Sequence, residues 1–141
     1  MLIVHGTVIT LGENNRIVPD GAVYIDGDKI AAIGATADLK ARYPQAQELD
    51  ATGLLVMPGN IIAHTHFYGA FARGMYLPGE PARNFVQILE KLWWKLDRAL
   101  DEKAIRLSAQ VCLADAIRNG ATTLFDHHAS PQAIEGSLDI I

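Results

Sequence analysis

Apolar residues along this chain change their spacing near position 57. Before it they alternate: Leu2–Thr10 is rich in β-branched residues, Gly21–Asp26 alternates around Val23 and Ile25, and Lys29–Gly34 follows directly after Gly27-Asp28. Period-two alternation on both sides of a Gly-Asp pair predicts a β-hairpin, since one face of each strand is to be buried and the turn needs a residue tolerant of positive φ. Asp38–Tyr43 reads as one or two helical turns stopped by Pro44, which has no N–H to continue them. Short extended pieces through Leu49 and over Leu54–Met57 complete a β-rich segment, 1–57, with a domain boundary expected at its end.

After Pro58-Gly59 the run Ile61-Ile62-Ala63 is continuously apolar, the pattern of a strand buried on both faces. Phe85, Ile88, Leu89, Leu92, Trp93 and Leu96 then fall at helical spacing, with Gln87, Glu90, Lys91 and Lys95 elsewhere on the wheel. Trp93 lies on the apolar stripe and is expected in the core; Trp94 points elsewhere. Asp101 is placed to cap a second helix with apolar positions Ala104, Leu107, Val111 and Ala114, ending at Gly120, and Ala121–Phe125 reads as another strand. Strand, helices and strand, with both strands apolar, is the rhythm of parallel β/α architecture, so the fold class is α/β. The polar residues His64 and His66, and Asp126, His127 and His128, stand where the two strands end, the C-terminal edge on which β/α enzymes gather their chemistry.

Composition narrows the partners. Half of the 141 residues are apolar, enough for a folded core, and 12 Lys+Arg against 16 Asp+Glu give a net charge of −4. No basic run interrupts that balance, so nucleic acid is excluded as an expected partner. The single cysteine, Cys112, sits in an apolar helical pattern and reads as a buried, inert thiol. Met1–Val4 lacks the charged flank and cleavage site of a leader, and no apolar run approaches the ~18 residues that a spanning helix needs. A cytoplasmic protein without membrane contact is the expectation.

The histidines bring in chemistry. In an extended strand, residues 64 and 66 point the same way and Thr65 the opposite way, so two imidazoles can meet one ion. Zinc accepts such nitrogens at ~2.0–2.1 Å, and divalent iron or manganese also accepts imidazole. A bare H-x-H is more often one core histidine beside one solvent-facing one. The wider phrase VMPGNIIAHTH is far more specific: it resembles the signature of the amidohydrolase superfamily, whose first barrel strand carries H-x-H. RG at Arg73-Gly74, NFVQILEKLWWKLDRAL and TTLFDHHASP resemble its chlorohydrolase and aminohydrolase branch, which includes cytosine, guanine and 8-oxoguanine deaminases. GAVYIDGDKIAAIG resembles the N-terminal strands of the family's small β-sandwich.

The resemblance implies a metal-dependent (β/α)8 TIM barrel, preceded by β-sandwich strands that C-terminal strands complete. Residues 1–57 correspond to the sandwich segment and 58–141 to the first two β/α units, so the chain looks truncated, as such barrels take ~250 residues. It implies one divalent metal, zinc first and iron or manganese next, held by His64 and His66. Further ligands and the catalytic proton-transfer residues are expected beyond Ile141. The implied reaction is attack of a metal-bound hydroxide on the amino-bearing carbon of a purine- or pyrimidine-like heterocycle. A cyclic amide hydrolase of the same superfamily is the alternative, and would need a bridging carboxylated lysine. A third reading is an inactive fragment, since two strands cannot close a barrel. Tyr68, Arg73, Asp126, His127 and His128 are candidates for substrate binding or for bracing the ligands, with loop anchoring the commoner role for Arg73. The expected partner is a small-molecule substrate, and a homo-oligomer is left open.

Overall fold

The computed structural model describes residues Met1–Ile141, which divide into two compact units, Met1–Pro58 and Gly59–Ile141. The first is a five-stranded sheet. Strands β1 (Leu2–Ile9), β2 (Ile17–Asp26) and β3 (Lys29–Ala35) form an antiparallel meander, and the short β4 (Glu48–Asp50) and β5 (Leu55–Val56) pair in parallel with β1. Gly27 turns the β2–β3 hairpin with φ 60°, the conformation its missing Cβ makes cheap. Helix α1 (Thr36–Arg42) lays Leu39 against Leu2, Val4 and Ala22, and Tyr24 stacks on Tyr43 with centroids 3.7 Å apart. Near the middle of the β1–β2 pair, His5 and Asp20 both take positive φ at a register shift, and their side chains meet at 2.9 Å.

The second unit carries the parallel pair β6 (Asn60–Thr65) and β7 (Ala121–Asp126). Pairing is close where it begins: a Cβ on Gly59 would lie 2.2 Å from Thr122 Cγ2, so only glycine lets the chain enter β6 alongside β7. A 3-10 helix (Phe67–Ala72) follows β6. Helix α2 (residues 85–99) contains a π-helical stretch at Leu89–Trp93 and is capped by Asn84, whose side chain accepts from Gln87 N at 3.0 Å. Asp101 caps α3 (Glu102–Arg118) by accepting from Ala104 N at 2.7 Å, and Gly120 leaves it with φ 71°. A last turn, α4 (Ser137–Ile140), packs Ile140 beside Tyr68, Leu96, Leu100 and Ile105, the buried centre of this unit. No helix is long and apolar enough to cross a membrane.

Two expectations about burial are corrected. The apolar run of β6 is not buried on both faces, since Ile61 is 68% exposed on a sheet only two strands wide. The buried stripe of α3 is Ile105, Ser108, Ala109 and Ala116, whereas Leu107, Val111 and Ala114 face outward. Both stripes have helical spacing. The observed one wins because its small residues let the helix approach the sheet and the 3-10 segment closely, with Cys112 Sγ 3.4 Å from Phe67 O.

Candidate metal-binding site

β6 and β7 end side by side, with Thr65 opposite Asp126. Between the pairs Ile62–Leu124 and Thr65–Asp126, β6 carries one residue more than β7. Such a bulge re-aims the side chains that follow it. Ile62 and Thr65, three residues apart, are accordingly the half-buried residues of β6, while Ala63 and His64 between them are exposed. His64 and His66 are turned toward each other, with their Nε2 atoms 3.0 Å apart.

That spacing suits a shared ion. Two nitrogens bound at ~2.0–2.1 Å stand about 2.9 Å apart at a right angle and about 3.4 Å apart at the tetrahedral angle. His66 Nδ1 lies 2.6 Å from the carbonyl oxygen of His127. A carbonyl only accepts, so Nδ1 carries the hydrogen; in neutral His66 the Nε2 lone pair then faces His64, whose own Nε2 donates to it until an ion takes its place. The His127 ring stacks on His64, centroids 4.1 Å apart and 24° between planes. Imidazole nitrogens are compatible with zinc, iron or manganese. No third His, Cys, Asp or Glu converges with them into a complete set.

Below the pair lies a polar cluster in an apolar setting. Asp126 Oδ1 accepts from Phe67 N at 2.8 Å, tying the start of the 3-10 helix to β7. Its Oδ2 stands 3.9 Å from His128 Nδ1, and neither atom has a hydrogen-bond partner although both are buried. His128 Nε2 is 2.6 Å from Ser130 Oγ. Tyr68 is 5% exposed and touches His66, Trp93 and His128 edge to face. Its phenol is pushed up to about 12, by burial first and by the charge of Asp97 second. Asp97 is itself raised by burial.

The structure thus joins His64, His66, Tyr68, Asp126, His127 and His128 by a chain of pairwise contacts. Arg73 is elsewhere: it lines the cleft of about 520 Å³ beneath α3, with Thr65, Phe67, Cys112 and Asp115. The Cys112 thiol there is pushed up, chiefly by burial. Sequence reading missed Asp97 and Ser130. Asp97 had a signal, a carboxylate inside the apolar stripe one turn after Trp93 and next to Leu96. Ser130, inside a loop, had none.

A family model described as the imidazolonepropionase-like composite domain of bacteria matches residues 21–46. Over 140 residues the chain is 32% identical to a 5-methylthioadenosine/S-adenosylhomocysteine deaminase of Syntrophobacter fumaroxidans, a match covering 94% of this chain and 31% of that protein. Its structure superposes on E. coli guanine deaminase with a TM-score of 0.78 at 21% identity, covering 99% of this chain and 33% of that one. It superposes on the atrazine chlorohydrolase TrzN of Arthrobacter aurescens TC1, complexed with zinc, with a TM-score of 0.75 at 27% identity, covering 99% and 32%. The chain spans about a third of the length of these relatives. It is a homologue of the N-terminal part of amidohydrolase-superfamily deaminases and chlorohydrolases.

Proposed function

We propose that this chain supplies the first two ligands, His64 and His66, of a divalent-metal centre. The whole protein is then a hydrolase acting on a non-peptide carbon–nitrogen bond, releasing ammonia from an amino-substituted purine- or pyrimidine-like ring. The observation that carries this reading is the pair of imidazole nitrogens 3.0 Å apart, one with its lone pair exposed by a backbone hydrogen bond. Relatives that are deaminases support the reaction class, and a zinc-bound structural neighbour supports the metal.

When bound, the ion lowers the pKa of a coordinated water to about 7 and so makes a nucleophile available at neutral pH. The chain's own residues hold and orient. His64 and His66 present neutral nitrogens and move no proton. The His127 carbonyl keeps the hydrogen of His66 on Nδ1, and its ring limits rotation of His64. Asp126 fixes the backbone at Phe67, so the chain leaves β6 in one direction. Tyr68 and His128 are enclosed beneath the ligands and brace them, leaving the substrate to approach from the exposed side of His64.

The test is ammonia release by the whole protein from 5-methylthioadenosine, guanine and related aminoheterocycles, with metal content measured on the same preparation. Replacing both His64 and His66 by alanine is expected to remove metal and turnover together. Turnover that survives the double replacement, or an active preparation without metal, overturns the proposal.

A further inference from the structure

Beneath the imidazole pair, α2 packs against Tyr68 and brings one carboxylate, Asp97, with it. Asp97 lies on α2 between Leu96 and Leu100, which are 5% and 2% exposed and belong to the buried centre around Tyr68. One turn earlier on the same helix, Trp93 meets the Tyr68 ring edge to face at 6.0 Å. That places the Asp97 carboxylate beside the phenol, and the two groups act on each other's charge. Their approach stops short of a well-formed hydrogen bond, since Asp97 Oδ1 is buried without a partner at bonding geometry. A buried carboxylate oxygen left unsatisfied is costly, and a protonated phenol is the donor within reach.

We propose that Asp97 is a positioning residue: by accepting from the Tyr68 hydroxyl it locks the Tyr68 ring against His66, and so holds the His66 imidazole in the orientation that presents Nε2 to His64. His66 has two restraints on its ring, the His127 carbonyl at 2.6 Å on Nδ1 and the Tyr68 ring at 5.5 Å on its flank. Without the second, the imidazole can swing off the carbonyl, so that neither the hydrogen on Nδ1 nor the gap of 3.0 Å between ligand nitrogens is any longer fixed. Tyr68 also meets His128 at 6.3 Å, so the same wedge ties α2 to the segment after β7. Asp97 makes no hydrogen bond to either ligand and orients them through Tyr68.

The role rests on the metal reading of His64 and His66, so its experiment needs a signal that does not. In the metal-free full chain, nitrogen-15 shifts of the His66 ring report how much of the imidazole carries its hydrogen on Nδ1. Wild type and Asp97→Asn, which keeps an acceptor oxygen in place, are expected to show mostly that tautomer. Asp97→Ala and Tyr68→Phe are expected to shift toward the averaged mixture of a free imidazole. Cobalt affinity, read by competition with a coloured chelator, should fall about 10- to 100-fold in those two variants and stay within about threefold in Asp97→Asn. Backbone spectra matching wild type establish that each variant is folded. An unchanged His66 tautomer in folded Asp97→Ala overturns the proposal, whatever the metal result. Should Asp97→Ala fail to fold, the Tyr68→Phe tautomer decides in its place. Cobalt binding that is unaffected by His66→Ala strikes the metal reading instead, and the ring shifts still judge Asp97.

Discussion

Replacing His66 by alanine tests the imidazole pair most directly, and the structure sets the size of the effect. Four-ligand structural zinc sites are worth about 10–16 kcal/mol, or about 2.5–4 kcal/mol per ligand, so two histidines supply about 5–8 kcal/mol. Some of this is spent before binding begins. The Nε2 atoms stand 3.0 Å apart in mutual hydrogen-bonding distance, and the ion must displace that contact at a cost of about 1 kcal/mol. His66 needs no tautomer change, because the His127 carbonyl has already set it. The chain alone is therefore expected to bind zinc or cobalt with a Kd between about 1 mM and about 10 μM. His66→Ala removes one ligand and should weaken binding by about 70-fold or more, beyond the range of ordinary titration. Isothermal titration or chelator competition at neutral pH, with His64→Ala as the matching control, reads this. Micromolar binding that persists in both single variants refutes the argument, because the ion would then be held elsewhere.

Four further outcomes follow from the packing. Tyr68 has its phenol raised from 10.0 to about 12 in the folded state, so the neutral form is favoured there and its contribution to stability is complete below pH 10. Stability should fall as pH rises from about 10 to about 12, a loss missing from Tyr68→Phe in chemical denaturation at matched pH. Gly59→Ala drives a Cβ to 2.2 Å from Thr122 Cγ2 and should destabilise by about 1–3 kcal/mol, measured as a lower denaturation midpoint. Asp101→Ala removes the cap on Ala104 N and should cost about 1 kcal/mol, with Asp101→Asn close to wild type in the same assay. The Cys112 thiol, raised by burial, should react with an alkylating reagent more slowly than a small free thiol at pH 8 and catch up once the chain is unfolded.

Local signals carried much of the fold. The Gly27-Asp28 turn, the Asp101 cap and the Gly120 stop each act through their own backbone geometry, which is why they could be read without neighbours. The face of α3 could not. Leu107 and Val111 offer more apolar area than Ser108 and Ala109, yet the smaller stripe is buried because close approach to Phe67 depends on what is opposite. Ile61 misleads for the same reason: a continuous apolar run states that a strand can be covered on both sides, and whether it is depends on how many strands the sheet has. Arg73 lay a few residues past the histidines in sequence, but the 3-10 helix between them carries it to the cleft under α3.

The bulge in β6 explains why sequence alternation alone gives an incomplete account of the imidazole pair. An unbroken strand would place His64 on the side of Ile62, toward α3, and Thr65 opposite. The structure makes Ile62 and Thr65 the half-buried residues of β6, with Ala63 and His64 between them exposed, so the extra residue between them inverts the sense of the strand just before the histidines are reached. The same irregularity draws the end of β7 alongside, where His127 N donates to Thr65 O at 2.8 Å while the His127 carbonyl accepts from His66. One residue just past the neighbouring strand, His127, thus anchors both the backbone and the side chain of the ligand segment. Deleting Ala63 removes the extra residue and makes His64 the direct neighbour of Ile62, so plain alternation then leaves Ile62 and Thr65 on one side and both imidazoles on the other, and metal binding should survive. Loss of binding in the folded deletion would refute this account, because the side the histidines face would then not be what the register decides.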